Sequence, residues 1–252
     1  MIALHQTALY AHIAIGAVAL IVFWIPMAAR KGSPLHRKAG RYFLWGMTAV
    51  ALSGVALSTM SLIDPIGTRF GDEVVEMERA FAIAANVREF SLFLLMLSVL
   101  VYASARHATL VLTARNDRRV LRTPWHISVM AATGVLGVAT GLVGLRVLGS
   151  SGSAPLLLVF AVLGIANSAR MLRYSFKAEI APREWLLEHI SFAVGCGIAA
   201  YTAFAAFGGR ALLGDLLPGQ WQMLPWILPT VIGTAYARYA SRPYQPRTPV
   251  LA

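Results

Sequence analysis

Charge is scarce in this chain: Asp, Glu, Lys and Arg make up 13% of its 252 residues, about half the 25% of an ordinary soluble domain. Apolar side chains fill the room, at 58%, which excludes a cytosolic enzyme and intrinsic disorder alike. Cysteine is nearly absent, and the single Cys196 sits in an apolar run, so a disulfide scaffold is excluded too. Acidic residues are the scarcer charge, 11 against 22 Lys and Arg. The resulting +11 would suit a nucleic-acid binder if the basic residues shared one face of a soluble module. Instead they fall in short blocks between apolar runs about twenty residues long, the length of helix that crosses roughly 30 Å of hydrocarbon. They read as topology signals, and no nucleic-acid partner is expected.

Several catalytic signatures are also missing. The sequence holds no Gly-x-x-x-x-Gly-Lys-Ser/Thr loop for a nucleotide, no His-Glu-x-x-His or His-x-x-x-His metal pair, no Cys-x-x-Cys and no Gly-x-Ser-x-Gly. A retinal protein needs a lysine in its last helix, and the last apolar run has none.

What is present is an all-α pattern of seven candidate spans, near 7–29, 42–63, 83–105, 124–148, 154–172, 185–207 and 223–240. The runs are continuous rather than alternating, which favours helices over a barrel. Alternate connections differ sharply in charge. One set carries Arg30, Lys31, Arg37, Lys38 and Arg41, then Arg106, Arg115, Arg118, Arg119 and Arg122, then Arg170, Arg173, Lys177 and Arg183, with Arg242 and Arg247 in the tail. The other set holds Arg69, Arg79, Arg146 and Arg210, and its 64–78 segment adds Asp64, Asp72, Glu73, Glu76 and Glu78. The positive-inside rule then places the N-terminus outside and the C-terminus in the cytoplasm, in a bacterial inner membrane. Residues 1–6 carry no Lys or Arg, so the first run reads as a permanent span rather than a cleaved signal peptide. Residues 1–252 read as a single transmembrane domain. The third span has two registers, since its apolar run extends either upstream to Ala80 or downstream to Thr113.

Ionisable groups inside spans are costly and therefore candidates for function. The outer half has His12 and the Arg88–Glu89 pair. The inner half has His36, His107, His126 and His189, with Glu188 beside the last, so four of six histidines approach one leaflet from four helices. Neutral imidazole ligates haem iron and metal ions, and histidines at helix ends also simply occupy the headgroup zone. On the fourth helix Gly134, Gly137, Gly141 and Gly144 form one bare stripe that includes His126. A flat haem held by His126 and His189 would need such small residues, with His36 and His107 as substitutes; close helix packing uses the same stripe. His12, Arg88 and Glu89 would suit proton relay, a quinone head or a transported solute. The basic Lys31 to Arg41 loop, with Lys31, Arg37 and Arg41, would hold lipid heads or another anion.

The loop Lys31-Gly32-x-x-x-His36-Arg37-x-x-Gly40-Arg41, the Glu188-His189 helix leading to Tyr201-Thr202-Ala203-Phe204, and the run Leu224-Pro225-Trp226-Ile227-Leu228-Pro229-Thr230 together resemble a group of uncharacterised bacterial multi-pass membrane proteins, of the domain-of-unknown-function type. The resemblance implies a membrane fold and carries no activity with it. Three functional expectations follow from the residues: a His-ligated haem b or metal redox protein exchanging electrons with a quinone; a transporter or small-molecule binding protein; and a structural or assembly subunit, in a homo-oligomer or a larger membrane complex.

Overall fold

A computed structural model describes residues 1–209 and 224–245. Those residues form seven α-helices and no strand: α1 Ile2–Ala28, α2 Pro34–Ile63, α3 Met77–Ala114, α4 Pro124–Arg146, α5 Ala154–Phe176, α6 Glu184–Ala203 and α7 Leu224–Ser241. α6 runs on through a π-helical turn, Phe204–Gly208, and short 3-10 turns follow α3 (Arg118–Arg122) and α7 (Arg242–Tyr244). α1 to α5, and α6 with its π turn, are six helices long and apolar enough to cross a membrane. α7 is an 18-residue helix with Pro229 inside it. Arg210 and Arg247, used in the charge argument, and residue 223 at the start of the seventh expected span lie outside the described residues.

Helix boundaries depart from the apolar runs where capping chemistry overrides hydropathy. α2 begins at Pro34 rather than 42, so the basic stretch expected as a loop is a short turn, Lys31–Ser33, followed by the first two turns of a helix. Ser33 accepts the His36 amide on its hydroxyl at 3.2 Å, and Pro34 sits at the first helical position, where no amide hydrogen is needed. α4 starts by the same device, with Thr123 accepting from the His126 amide at 3.4 Å and Pro124 behind it. Gly32, at φ +78°, makes the reversal between α1 and α2 that a residue with a Cβ resists. α3 is longer than either register required: its 38 residues span about 57 Å and absorb both. Arg88 and Arg106, eighteen residues apart, are separated by about 27 Å along it, close to a bilayer's hydrocarbon thickness.

The chain divides into two compact units. The first comprises Met1–Ala17, Thr48–Ala103 and Thr123–Ser175; the second comprises Val18–Met47, Ser104–Arg122 and the described residues from Phe176 on. In the first, Phe93, Met96, Met130 and Met171 are fully buried, with the Phe93 and Phe160 rings edge to face at 5.3 Å. In the second, Phe23 packs its ring on Phe43 at 5.2 Å and on Tyr201 at 5.9 Å. The absence of a side chain at Gly197 makes room for that Phe23 ring. Tyr201 accepts a hydrogen bond from the Trp24 indole and donates its own to the Leu20 carbonyl, tying α6 to α1.

Candidate functional site

The second unit holds three of the candidate histidines. α1 ends at Ala28, which leaves its last carbonyls without helical amides. Lys31 turns back and donates to the carbonyls of Pro26 at 2.9 Å and Met27 at 2.8 Å. His36, in the first turn of α2, also donates to the Pro26 carbonyl, from Nδ1 at 3.0 Å. A carbonyl has no hydrogen to give, so Nδ1 carries the proton. In the neutral ring, the lone pair is then on Nε2.

α6 docks on the end of α3 through two adjacent residues. His189 donates from Nδ1 to the Ala108 carbonyl at 2.9 Å, and Glu188 places Oε2 3.8 Å from Nε2 of His107. His107 is fully buried and meets the Phe192 ring edge to face at 4.8 Å. His189 thus has the same tautomer as His36, for the same reason, and the two lie within electrostatic reach of one another. A ring nitrogen donating to a backbone carbonyl while the other faces a metal is the usual arrangement around ligating histidines, because it fixes ring orientation and raises basicity.

His12, Arg88, Glu89, His126, Gly134 and Gly137 belong to the first unit. His126 is fully buried in the opening turn of α4, while His189 belongs to the second unit. The glycine stripe beside His126 faces α5. A Cβ at Gly137 would meet the Ala161 carbonyl oxygen and the Ile165 amide nitrogen at 3.1 Å, one at Gly141 the Ala161 Cβ at 3.3 Å, and one at Gly144 the Leu157 Cβ at 3.1 Å. Ser168 on α5 donates to the Met130 carbonyl across the same seam at 2.6 Å. At the Gly134 end the seam opens into a shallow apolar groove bordered by Ala131, Val138, Ala169 and Leu172, with no histidine in its lining. The small residues are there because α5 approaches closely. Gly134 and Gly137 thus lie on a close packing seam between α4 and α5.

His12 does not join the Arg88–Glu89 pair. Ser53 on α2 spends its hydroxyl hydrogen on the Ala49 and Val50 carbonyls, both at 2.9 Å, and so accepts from His12 Nδ1 at 2.9 Å. His5 Nε2 lies within hydrogen-bond distance of the Ser61 hydroxyl, at 3.2 Å. Arg88 is exposed and donates from Nε to the Leu62 carbonyl at 3.2 Å. Among the described residues no hydrogen bond or ion pair links His12, Arg88 and Glu89, and no cluster of three His, Cys, Asp or Glu side chains is placed to hold a metal ion.

Arg37 and Arg41 are exposed on the first turns of α2, whereas Lys31 is engaged as the cap of α1. Sequence reasoning missed the two cap residues that position histidines, Ser33 and Thr123. The signal was present in the repeated pattern Ser33-Pro34-x-His36 and Thr123-Pro124-x-His126, a capping hydroxyl and proline that set a histidine in the first helical turn.

No family model matches the chain, and no curated protein or solved structure is significantly similar to it.

Proposed function

We propose that this multi-pass protein crosses a bacterial inner membrane seven times, with its N-terminus outside and its C-terminus in the cytoplasm, and binds haem b or a metal ion through histidines. The observation that carries the reading is the matched pair in the second unit, His36 and His189, each with Nδ1–H held by a backbone carbonyl and Nε2 left as the lone-pair nitrogen. His36 therefore replaces His126 as the preferred companion of His189, with His107 and His126 as the remaining candidates. Haem or a redox-active metal ion, when bound, would supply a one-electron couple. The chain's part is to fix the orientation of the two imidazoles through their Nδ1–H bonds to backbone carbonyls, which leaves Nε2 of each for the bound group. A quinone dissolved in the bilayer is the electron partner such a site would meet.

The other two readings have less to stand on. A transport site needs His12, Arg88 and Glu89 together, and His12 is bound to Ser53 instead. A partner-binding role for the glycine stripe needs it exposed, and α5 covers it.

The test is an absorption spectrum of the purified protein, oxidised and then reduced with dithionite, beside metal analysis. The expected result is a Soret band that shifts on reduction and is lost in His36→Ala and His189→Ala but kept in His126→Ala. For a metal ion without haem, the stoichiometry should fall in the same two variants. A protein that stays colourless and metal-free after haem and metals are supplied during expression would sink the proposal.

A further inference from the structure

The connections that follow α3 and α5 in the second unit are clasped by three arginines. Arg115 lies over the Trp185 ring at 5.9 Å and Arg122 over the Phe176 ring at 5.4 Å. Between them in sequence, Arg118 donates from Nη2 to the Ala178 carbonyl at 3.0 Å. Arg118 is only 9% exposed, and among the described residues neither its Nε–H nor its Nη1 amino group has an acceptor. A guanidinium cannot shed its charge, so burying one with donors unmet is costly and calls for an anion.

Of the three carboxylates in these connections, Glu179 is exposed and two have partners of their own. Glu184, within electrostatic reach of Arg118, is held by Lys177 Nζ at 2.8 and 2.9 Å and by the Ala181 amide at 2.7 Å. Asp117 accepts the Arg119 amide at 3.0 Å. Residues 115–122 and 176–185 carry six basic side chains against three acidic ones, so the local field favours an incoming anion. A planar fork with two open donors matches an oxyanion that offers several acceptor oxygens, and phosphate is the common one. The neighbouring tryptophan and phenylalanine, each under an arginine, suit the headgroup level of a membrane, where phosphates are concentrated.

We infer that Arg118 anchors a phosphate-binding site formed by these two connections, with Nε and Nη1 as its donors. The phosphate is that of an anionic lipid headgroup or of a free phosphate compound. This site is independent of the histidines, and its success or failure leaves the haem or metal reading where it stands.

The test uses the full chain in detergent, with thermal unfolding and native mass spectrometry as readouts and two probes, phosphatidylglycerol and inorganic phosphate. Phosphatidylcholine serves as the zwitterionic control. Phosphatidylglycerol should raise the unfolding temperature saturably and remain bound in the spectrometer, while Arg118→Gln binds about ten- to a hundredfold more weakly, the loss expected for charge-assisted hydrogen bonds. Arg118→Lys keeps the charge without the fork and should fall between, and Arg119→Gln should bind as the parent does. An equal response to inorganic phosphate that is also lost in Arg118→Gln assigns the site to free phosphate compounds; a response to phosphatidylglycerol alone assigns it to lipid. If neither probe stabilises the parent protein, or if Arg118→Gln and Arg118→Lys respond as the parent does, the inference is wrong.

Discussion

Replacing Gly137 by alanine tests whether the stripe on α4 is a packing seam. The added methyl carbon would lie 3.1 Å from the Ala161 carbonyl oxygen, the Ile165 amide nitrogen and Ile165 Cγ1. Two of those atoms are backbone of α5, so relief requires the helices to part by roughly half an ångström before ordinary contact near 3.6 Å returns. Overpacking of this kind costs about 1–3 kcal/mol. Alanine's better helix propensity offsets about 1 kcal/mol of it, leaving a net loss of about 1 kcal/mol. Gly195 on α6 is the matched control, because a Cβ there meets nothing within 4 Å. Propensity alone then acts, and Gly195→Ala should gain up to about 1 kcal/mol. The two variants should differ by about 2 kcal/mol, on the order of 4–8 °C in unfolding midpoint for a chain of this size. Circular dichroism melts in detergent at matched protein concentration read the difference directly. Equal midpoints, or a Gly137→Ala protein more stable than its parent, would refute the packing argument; loss of bound haem with an unchanged midpoint would restore the stripe as a cofactor bed.

Other consequences can be measured on the same preparation. Ser33→Ala and Thr123→Ala should each cost about 1 kcal/mol of stability through the lost caps of α2 and α4, and Ser33→Ala should also reduce any ligand held by His36, which a spectrum or metal assay at matched folded fraction would show. Lys31→Met removes two hydrogen bonds to the end of α1 and a third to the Tyr236 hydroxyl and should cost about 1–2 kcal/mol, read as a lower melting midpoint that added phosphate or lipid does not restore. Gly197→Ala drives a methyl into the Phe23 ring and should destabilise by about 1–3 kcal/mol; Phe23→Leu in the same chain should recover part of that loss. In a Cys196→Ser background, a cysteine at Val74, which is 96% exposed, should react with an impermeant maleimide from outside the cell. A cysteine at Arg119 should react only after the membrane is opened, and the reverse pattern would invert the topology.

Much of the architecture was legible because hydropathy is a local property. Each apolar run must be helical in lipid whatever surrounds it, since only a helix satisfies its own backbone there. The α2 boundary was misread because helix formation does not stop where the apolar run begins: Ser33 and Pro34 start it eight residues earlier, in a stretch dominated by charge. α3 likewise continues past both edges of its apolar run, through Arg88 and Arg106, because neither residue carries a stop signal. The histidines were found by type and depth, but their pairings were not. His12 with Ser53, His107 with Glu188, and His189 with the Ala108 carbonyl are separated by 41, 81 and 81 residues in the chain, and nothing in a periodicity records such partners.

By itself, then, the amino-acid sequence determined the helical class of this protein, the approximate position of each described helix, the six apolar helices compatible with a membrane and the short list of groups able to do chemistry. All of these follow from the cost of exposing backbone and charge to hydrocarbon, which is counted residue by residue. The tertiary structure alone decided which nitrogen of His36 and His189 carries the proton, that the glycines of α4 seat α5, and that Arg118 is buried with open donors. Each of those depends on which atom of a distant segment arrives within about 3 Å, the range over which a hydrogen bond or a steric clash acts.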